Sequence, residues 1–359
     1  MKTKWLFVAL VVAGLMLTGA SAGLAQGKDA IKLKFSNPHP MTFSSAPVMA
    51  AFCDEIGKRT NGRVEITHYA GGTLTTFPKT YDGVVMGVAD IGHSHIGYTR
   101  GRFPVTEILD LPVGYTSGFV ATHVKWDYYK KFHPKEWDKV HVLYFWSVGP
   151  QILATTKKEI KKFDDLKGMK IRGTGRPADI IKAMGATPVA LEMGDVYDAC
   201  QRGLLDGVYD AMEIWKGFRL GDVLKYGYLS QRGAGSIFTF YVAMNKRKWD
   251  SLPKDIQKIM TDTAEEWVDK HAVTTLQADQ AGMDYLLSKG GKVLTLPDAE
   301  IKKMKAAVQP VIDDYMKTME GKGYKRADIQ AQLNYIYERI DYWSKQEKER
   351  KPKSPYDKK

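Results

Sequence analysis

MKIRGTGRPADIIKAMGATPVALEMGDVYDACQRGLLDGVYDAMEIW, residues 169–215, alternates strand-like and helix-like patches. The apolar run 169–172 ends in the turn Gly173-Thr174-Gly175. A helix pattern follows, with Ile180, Ile181 and Met184 on one face, and it stops at Gly185. Residues 188–191 read as a second strand. Asp195 stands where an N-cap belongs, and Tyr197, Cys200 and Leu204 share the next helical face. Gly203 closes that helix, and Val208-Tyr209 opens a third strand. A β-α-β-α-β order with short links predicts a parallel sheet. Arg172 ends its first strand, on the edge where open parallel sheets hold ligands.

Outward from this stretch, the N-terminal part repeats the order. Residues 31–36 alternate as a strand, and Asn37-Pro38-His39-Pro40 breaks it. Ser44 or Ser45 can cap a helix with Val48, Met49, Phe52, Cys53 and Ile56 on its apolar face. Residues 64–69 read as a strand, Ala70-Gly71-Gly72 as a turn, 79–88 as a helix and 89–93 as a strand. Both halves carry YDx4GxxD: Tyr81-Asp82, Gly87 and Asp90 match Tyr197-Asp198, Gly203 and Asp206. The pattern implies two similarly built domains.

The remaining chain links them. Residues 97–118 are loop-rich, and 124–137 (VKWDYYKKFHPKEW) predict one helix with an aromatic face. Residues 140–146 (VHVLYFW) are too apolar for a surface strand and join the first sheet. Residues 160–166 form a surface connector. Residues 237–245 (IFTFYVAMN) predict a strand returning the chain to the first domain. A helix over 253–288 would run about 50 Å, enough to cross both domains. A strand at 292–296, a helix from Asp298 to about 317 and a helix over 326–343 complete the reading.

With 359 residues, 44% of them hydrophobic and 26% charged, the chain predicts two folded domains. The formal charge of +12 is spread over helix faces and the tail. No Arg-rich helix, zinc spacing or aromatic RNA motif accompanies it, so nucleic acid is not an expected partner. Residues 1–25 read as a secretory signal peptide. Lys2 and Lys4 precede an apolar core at 5–17, too short for the roughly 20 residues of a membrane span, and small residues follow. Cys53 and Cys200 both lie on apolar helix faces, which predicts two buried free thiols. No nucleophile-elbow, H-E-x-x-H or paired-carboxylate motif appears, so no enzyme activity and no cofactor are expected.

Residues 64–74 (VEITHYAGGTL), 81–94 (YDGVVMGVADIGHS), 97–104 (GYTRGRFP) and 166–175 (LKGMKIRGTG) carry a family resemblance. Over nearly the whole stretch after the leader, the chain resembles the solute-binding proteins of tripartite ATP-independent periplasmic (TRAP) transporters, the DctP type. Ala70 and Arg100 stand where that pattern has Pro, and His95 where it has an apolar residue. The resemblance implies an α/β fold of the type II periplasmic-binding-protein kind. Its two α/β lobes flank a central cleft and are joined by crossing strands and a long helix. Residues 28–152 with 240–285 make lobe I. Residues 153–239 with 286–345 make lobe II, on which the C-terminal helices pack, and 346–359 form a flexible tail. The resemblance further implies a periplasmic monomer that closes about a hinge on a small carboxylate and passes it to a TRAP membrane permease. A sensor module presenting its ligand to a receptor is the alternative.

A strand-end Arg alone also suits a surface ion pair. The resemblance instead assigns Arg172 to the ligand carboxylate, which a guanidinium meets with two parallel hydrogen bonds. The other candidates are strand ends and their loops: His39, Phe43, Gly72, Thr73, His93, Ser94, Phe145, Trp146, Thr174, Met193, Glu213 and Trp215. Aromatics at these ends predict a flat apolar ligand body, such as an aromatic or bulky amino-, oxo- or hydroxy-acid. Glu213 either turns away from the ligand or takes the ammonium of an amino acid. His39, His93 and His95 lack metal-site spacing, so no metal is expected.

Overall fold

The computed structural model describes residues 30–350. The predicted signal peptide lies outside them. Two sheets organise the chain, in spatial order β2-β1-β3-β10-β4 and β11-β9-β5-β8-β6-β7. The first holds β1 (Ile31–Ser36), β2 (Val64–Tyr69), β3 (Ile91–His95), β4 (Val140–Trp146) and β10 (Phe240–Asn245). The second holds β5 (Ile152–Thr155), β6 (Lys170–Arg172), β7 (Thr187–Val189), β8 (Gly207–Asp210), β9 (Tyr226–Tyr228) and β11 (Lys292–Leu294). Parallel pairing joins β1 to β2 and β3, and β6 to β7 and β8. The returning β10 runs antiparallel to β3 and β4, while β5 runs antiparallel to β8 and β9. Two α/β lobes result, each a sheet flanked by helices.

The internal repeat has a structural counterpart. The Asp90 carboxylate accepts the Lys34 amide at 2.8 Å, and the Asp206 carboxylate accepts the Lys170 amide at 2.8 Å. Each Asp thereby ties the helix exit to the neighbouring strand. Gly87 and Gly203 precede them at φ 82° and 73°, a left-handed turn that costs glycine little.

The helix Lys254–Ser288 touches both lobes. Its Trp267 indole donates to the Val48 carbonyl at 2.8 Å in the first. Its Asp279 accepts the Glu213 amide at 3.0 Å in the second. Cys53 and Cys200 are free and buried. Among the described residues no helix is long and apolar enough to cross a membrane.

Several readings are corrected. The aromatic helix is Gly118–Phe132, capped by the Ser117 hydroxyl, which accepts the Val120 amide at 3.1 Å. It stops at His133, whose φ of 39° precedes Pro134, and 135–137 form a separate turn. Asp195 occupies an N-cap position but its side chain makes no capping bond. Residues 237–239 precede β10 rather than lie in it. The strands β5 and β9 had no recognisable pattern; both are short and buried on two faces, so no alternation marks them.

The last helix, Arg326–Arg350, packs on the Gly118–Phe132 helix beside the first sheet, not on the second lobe. Asp127 accepts from Arg339 at 2.9 Å and from the Trp343 indole at 2.7 Å. The Trp343 ring stacks on His123 at 3.9 Å, and Tyr335 meets Phe132 edge-on at 5.4 Å. Aromatic rings on both helices make this the better partner. Residues 346–350, read as part of a flexible tail, continue that helix. Its end is held by Ser117 to Glu347 and by Arg350 to Asp269.

Candidate functional site

The C-terminal edges of β6, β7 and β8 place Arg172. Its register partners are Val189 on β7 and Val208 on β8. Two residues past each lie Leu191, beyond the end of β7, and Asp210, the last residue of β8. The guanidinium lies between them. Its Nε and Nη2 donate to the Leu191 carbonyl at 3.1 and 3.0 Å, and its Nη1 donates to Asp210 Oδ2 at 2.6 Å. Nη2 also donates to the hydroxyl of Tyr98, from the other lobe, at 3.2 Å. The Met193 amide donates to the same hydroxyl at 3.2 Å. Arg172 is 1% exposed and Asp210 3%.

Arg172, Asp210, Tyr98 and Met193 line a small interlobe cavity. His39, Phe43, Phe77, His95, Tyr98 and Phe240 face it from the first lobe. Arg172, Met193, Asp210, Ile214 and Phe218 face it from the second, with Val148 and Phe238 on the crossing segments. One end is therefore ionic and the body aromatic. His39 stacks on Phe43 at 4.0 Å, Phe77 stacks on Tyr98 at 4.9 Å, and His95 tilts against Phe238 at 4.7 Å.

Burial sets the electrostatics. It pushes the three imidazoles His39, His93 and His95 well below the usual histidine range, with Arg172 adding to the effect at His95. Each ring also uses a nitrogen locally: His39 with Ser45 at 2.8 Å, His93 with Asn37 at 3.2 Å, His95 with the Gly97 amide at 3.0 Å. Among the described residues no three His, Cys, Asp or Glu side chains converge as a metal site. Burial lifts Asp210 to about 6, opposed by the Arg172 charge, and raises Tyr98.

Of the predicted site residues, Arg172, His39, Phe43 and Met193 share this cavity. The others do not line it. His93 and Trp146 stand behind the wall, stacked together at 5.4 Å and each against Phe240. Phe145 points to the opposite face of its strand, at 4.9 Å from Tyr129 and 5.1 Å from Trp137. The Ser94 hydroxyl donates to the Phe77 carbonyl at 2.8 Å. Gly72 and Thr73 lie in a surface turn closed by Thr73 onto the Ala70 carbonyl at 3.1 Å. Trp215 is core, packed against Gly227, and Thr174 is buried beside the lobe contact. Alternation explains Phe145 and Ser94, since neighbours on a strand face opposite sides.

Glu213 is 2% exposed and does not line the cavity. Its Oε1 accepts the Ser44 amide at 3.0 Å and the Ser44 hydroxyl, at the N-terminus of the helix Ser45–Arg59 in the other lobe. Ser44 makes no capping bond with its own side chain, so Glu213 satisfies that helix end across the cleft. Burial lifts this carboxyl to about 8. In this arrangement it is an interlobe contact.

Further contacts cross the cleft beside the cavity. Arg176 meets Glu107 at 2.7 Å, Arg100 meets Asp179 at 2.6 Å, and the Thr42 hydroxyl donates to the Gly217 carbonyl at 2.9 Å. The backbones of Gly97 and Gly175 touch, so closely that a Cβ on Gly175 would stand 2.7 Å from the Gly97 Cα.

Sequence reasoning missed Asp210, Tyr98, Phe77, Phe218, Phe238 and Phe240 as cavity residues. Phe238 and Phe240 had a usable signal, an aromatic pair at strand spacing. Asp210 had one too, ending a strand beside Arg172 in a parallel sheet. Tyr98 and Phe77 had none, because their role depends on how one lobe faces the other.

Over residues 38–318 the chain matches the sequence pattern of DctP, bacterial extracellular solute-binding protein, family 7. A solute-binding protein of Albidiferax ferrireducens is 29% identical over 70% of this chain and 75% of its own. Among solved structures, a TRAP solute-binding protein of Rhodoferax ferrireducens, in complex with copurified benzoate, is 26% identical. It covers 88% of this chain and 99% of its own, with a TM-score of 0.82. A TRAP periplasmic solute-binding protein of Bordetella bronchiseptica, with bound (R)- and (S)-mandelate, is 25% identical. It covers 87% and 99%, with a TM-score of 0.80.

Proposed function

This chain belongs to the DctP family of bacterial extracellular solute-binding proteins, and from that premise we propose that it captures an aromatic monocarboxylate for a TRAP transporter. As a TRAP periplasmic solute-binding protein it binds a small organic acid and works with membrane permease subunits. The single observation that carries the aromatic reading is the cavity itself, a guanidinium at one end and stacked rings along the body. Arg172 supplies the countercharge that a carboxylate needs on leaving water. Benzoate and mandelate, held by the two structural relatives above, each carry one ring and one acid group.

Capture proceeds by hinge closure. A ligand touching both lobes stabilises the closed form by as much as it binds that form better. The contacts Glu213 to Ser44, Arg176 to Glu107 and Tyr98 to Arg172 form only when the lobes meet. The protein acts as a monomeric receptor rather than an enzyme, exported by residues 1–25 and releasing its ligand unchanged to the permease.

Mass spectrometry of small molecules released on unfolding the freshly purified protein tests this reading, alongside calorimetric titration with benzoate and mandelate. An intact aromatic acid released, or either acid binding tightly, is the expected result. Release of a chemically converted product, or of a ligand with no carboxylate, would refute it.

A further inference from the structure

Arg172 is not a free cation awaiting an anion. A guanidinium has five N–H groups. Leu191 takes two of Arg172's, Tyr98 one and Asp210 one, which leaves a single N–H on Nη1. Asp210 holds its place with both oxygens, since Oδ1 accepts the Ala211 amide at 2.8 Å. It also lines the cavity, so an acid arriving at Arg172 arrives beside an existing carboxylate. Two carboxylates sharing one guanidinium in a closed, aromatic-walled space leave a buried negative charge in excess.

We propose that the protein takes up its organic anion together with one proton, which resides on Asp210 in the closed complex. The proton comes from solvent: Asp210 COO⁻ plus H⁺ becomes COOH, and the site stays neutral overall. Protonated Asp210 releases Nη1, which then offers both its N–H groups to the incoming carboxylate, while the new O–H can donate to it. This rests on the reading of Arg172 as the carboxylate holder.

The charged and titratable groups around Asp210 agree with that assignment. Among the described residues, Arg172 on β6 is the cation paired with it. Tyr98 faces the pair from the first lobe, and Glu192 acts on Tyr98 from the segment after β7. His95, also across the cleft, is held neutral by burial and by Arg172. Glu213, three residues further on, adds negative charge when ionised, and Asp279 stands beyond it. Asp210 is already lifted to about 6 before any ligand enters. Glu213 is the second group that could gain a proton on closure, so the test separates the two.

Benzoate and mandelate are titrated calorimetrically into the full protein near pH 7.5, in phosphate and in Tris. The dependence of the measured heat on buffer ionisation heat counts the protons taken up. The wild type should take up at least one per acid, and its affinity should fall about tenfold or more per pH unit between about pH 7 and 8. In the Glu213→Gln background, which removes the second proton site, Asp210→Asn should bind without proton uptake, with a flat pH profile, and about tenfold or more tighter than its Asp210 parent at pH 8. Glu213→Gln should keep the uptake. Binding without proton uptake by the wild type would overturn the proposal while leaving Arg172 as the acid holder. Uptake lost in Glu213→Gln but kept in Asp210→Asn would do the same. Preference for phenylalanine over phenylpyruvate without proton uptake would also overturn it, making Asp210 an ammonium partner. Binding of neither acid by wild type and variants would bring down the carboxylate reading, and this inference with it.

Discussion

Arg172 Nη1 and Asp210 Oδ2 lie 2.6 Å apart at the ends of adjacent parallel strands, both buried in the cleft between the lobes. The cation proposed to hold the ligand is therefore neutralised from within. Burial alone makes this pair costly to break on one side only.

Arg172→Ala should weaken benzoate or mandelate by about 2–5 kcal/mol, the range for truncating one member of a buried charge pair. Arg172→Lys should bind poorly as well. An ammonium cannot span Leu191, Tyr98 and a carboxylate with the fixed fork of a guanidinium. Titration calorimetry of both variants checks this, and wild-type affinity in either would remove Arg172 from its role.

Glu107→Gln should destabilise the closed form, because Glu107 accepts both the Arg176 guanidinium and, at 2.6 Å, the Gly101 amide. Gly101 lies in the same lobe and Arg176 in the other, so the loss falls on the interlobe bridge. An effect of about 1–3 kcal/mol should speed ligand release roughly five- to a hundred-fold with little change in the on-rate. Stopped-flow displacement reads this directly; an unchanged off-rate would show that the bridge does not contribute to holding the lobes shut.

Gly97→Ala should obstruct closure. Its Cβ would stand 2.8 Å from the His95 ring and 3.3 Å from the Gly175 Cα of the opposite lobe. Affinity should drop about tenfold or more. Small-angle scattering with and without benzoate should show the variant failing to compact; compaction equal to wild type would mean that this close approach can relax.

Stability should depend on pH through Glu213. Its carboxyl is lifted from the usual 4.5 to about 8 in the closed form, so between those values the folded protein binds the proton that the unfolded chain has released. The closed form is thus favoured at the acid end of that window and loses on the order of 4 kcal/mol as pH rises to about 8. Glu213→Gln keeps an acceptor for Ser44 without the charge, and thermal unfolding between about pH 5 and 8 should lose this slope. A slope identical to wild type would place the titrating group elsewhere.

The strand and helix periods, the YDx4GxxD repeat and the position of Arg172 at a parallel strand end were legible in the sequence. They depend on neighbours a few residues away, where periodicity and turn chemistry decide local structure. The two short buried strands β5 and β9 were not legible, because no alternation distinguishes them. The packing surface of the last helix was not legible either, because its aromatic face is compatible with either lobe and only the matching rings of the Gly118–Phe132 helix select one.

For the site, sequence alone determined that a guanidinium would stand at a sheet edge near aromatic strand ends, since strand register is a local property. Tertiary structure decided which aromatics meet it, that Asp210 neutralises it, that Tyr98 reaches it from the other lobe and that Glu213 is used on Ser44. Those outcomes follow from the relative placement of two separately folded lobes. That placement is set by side-chain packing, the crossing segments and one long helix, over separations at which no sequence period carries information.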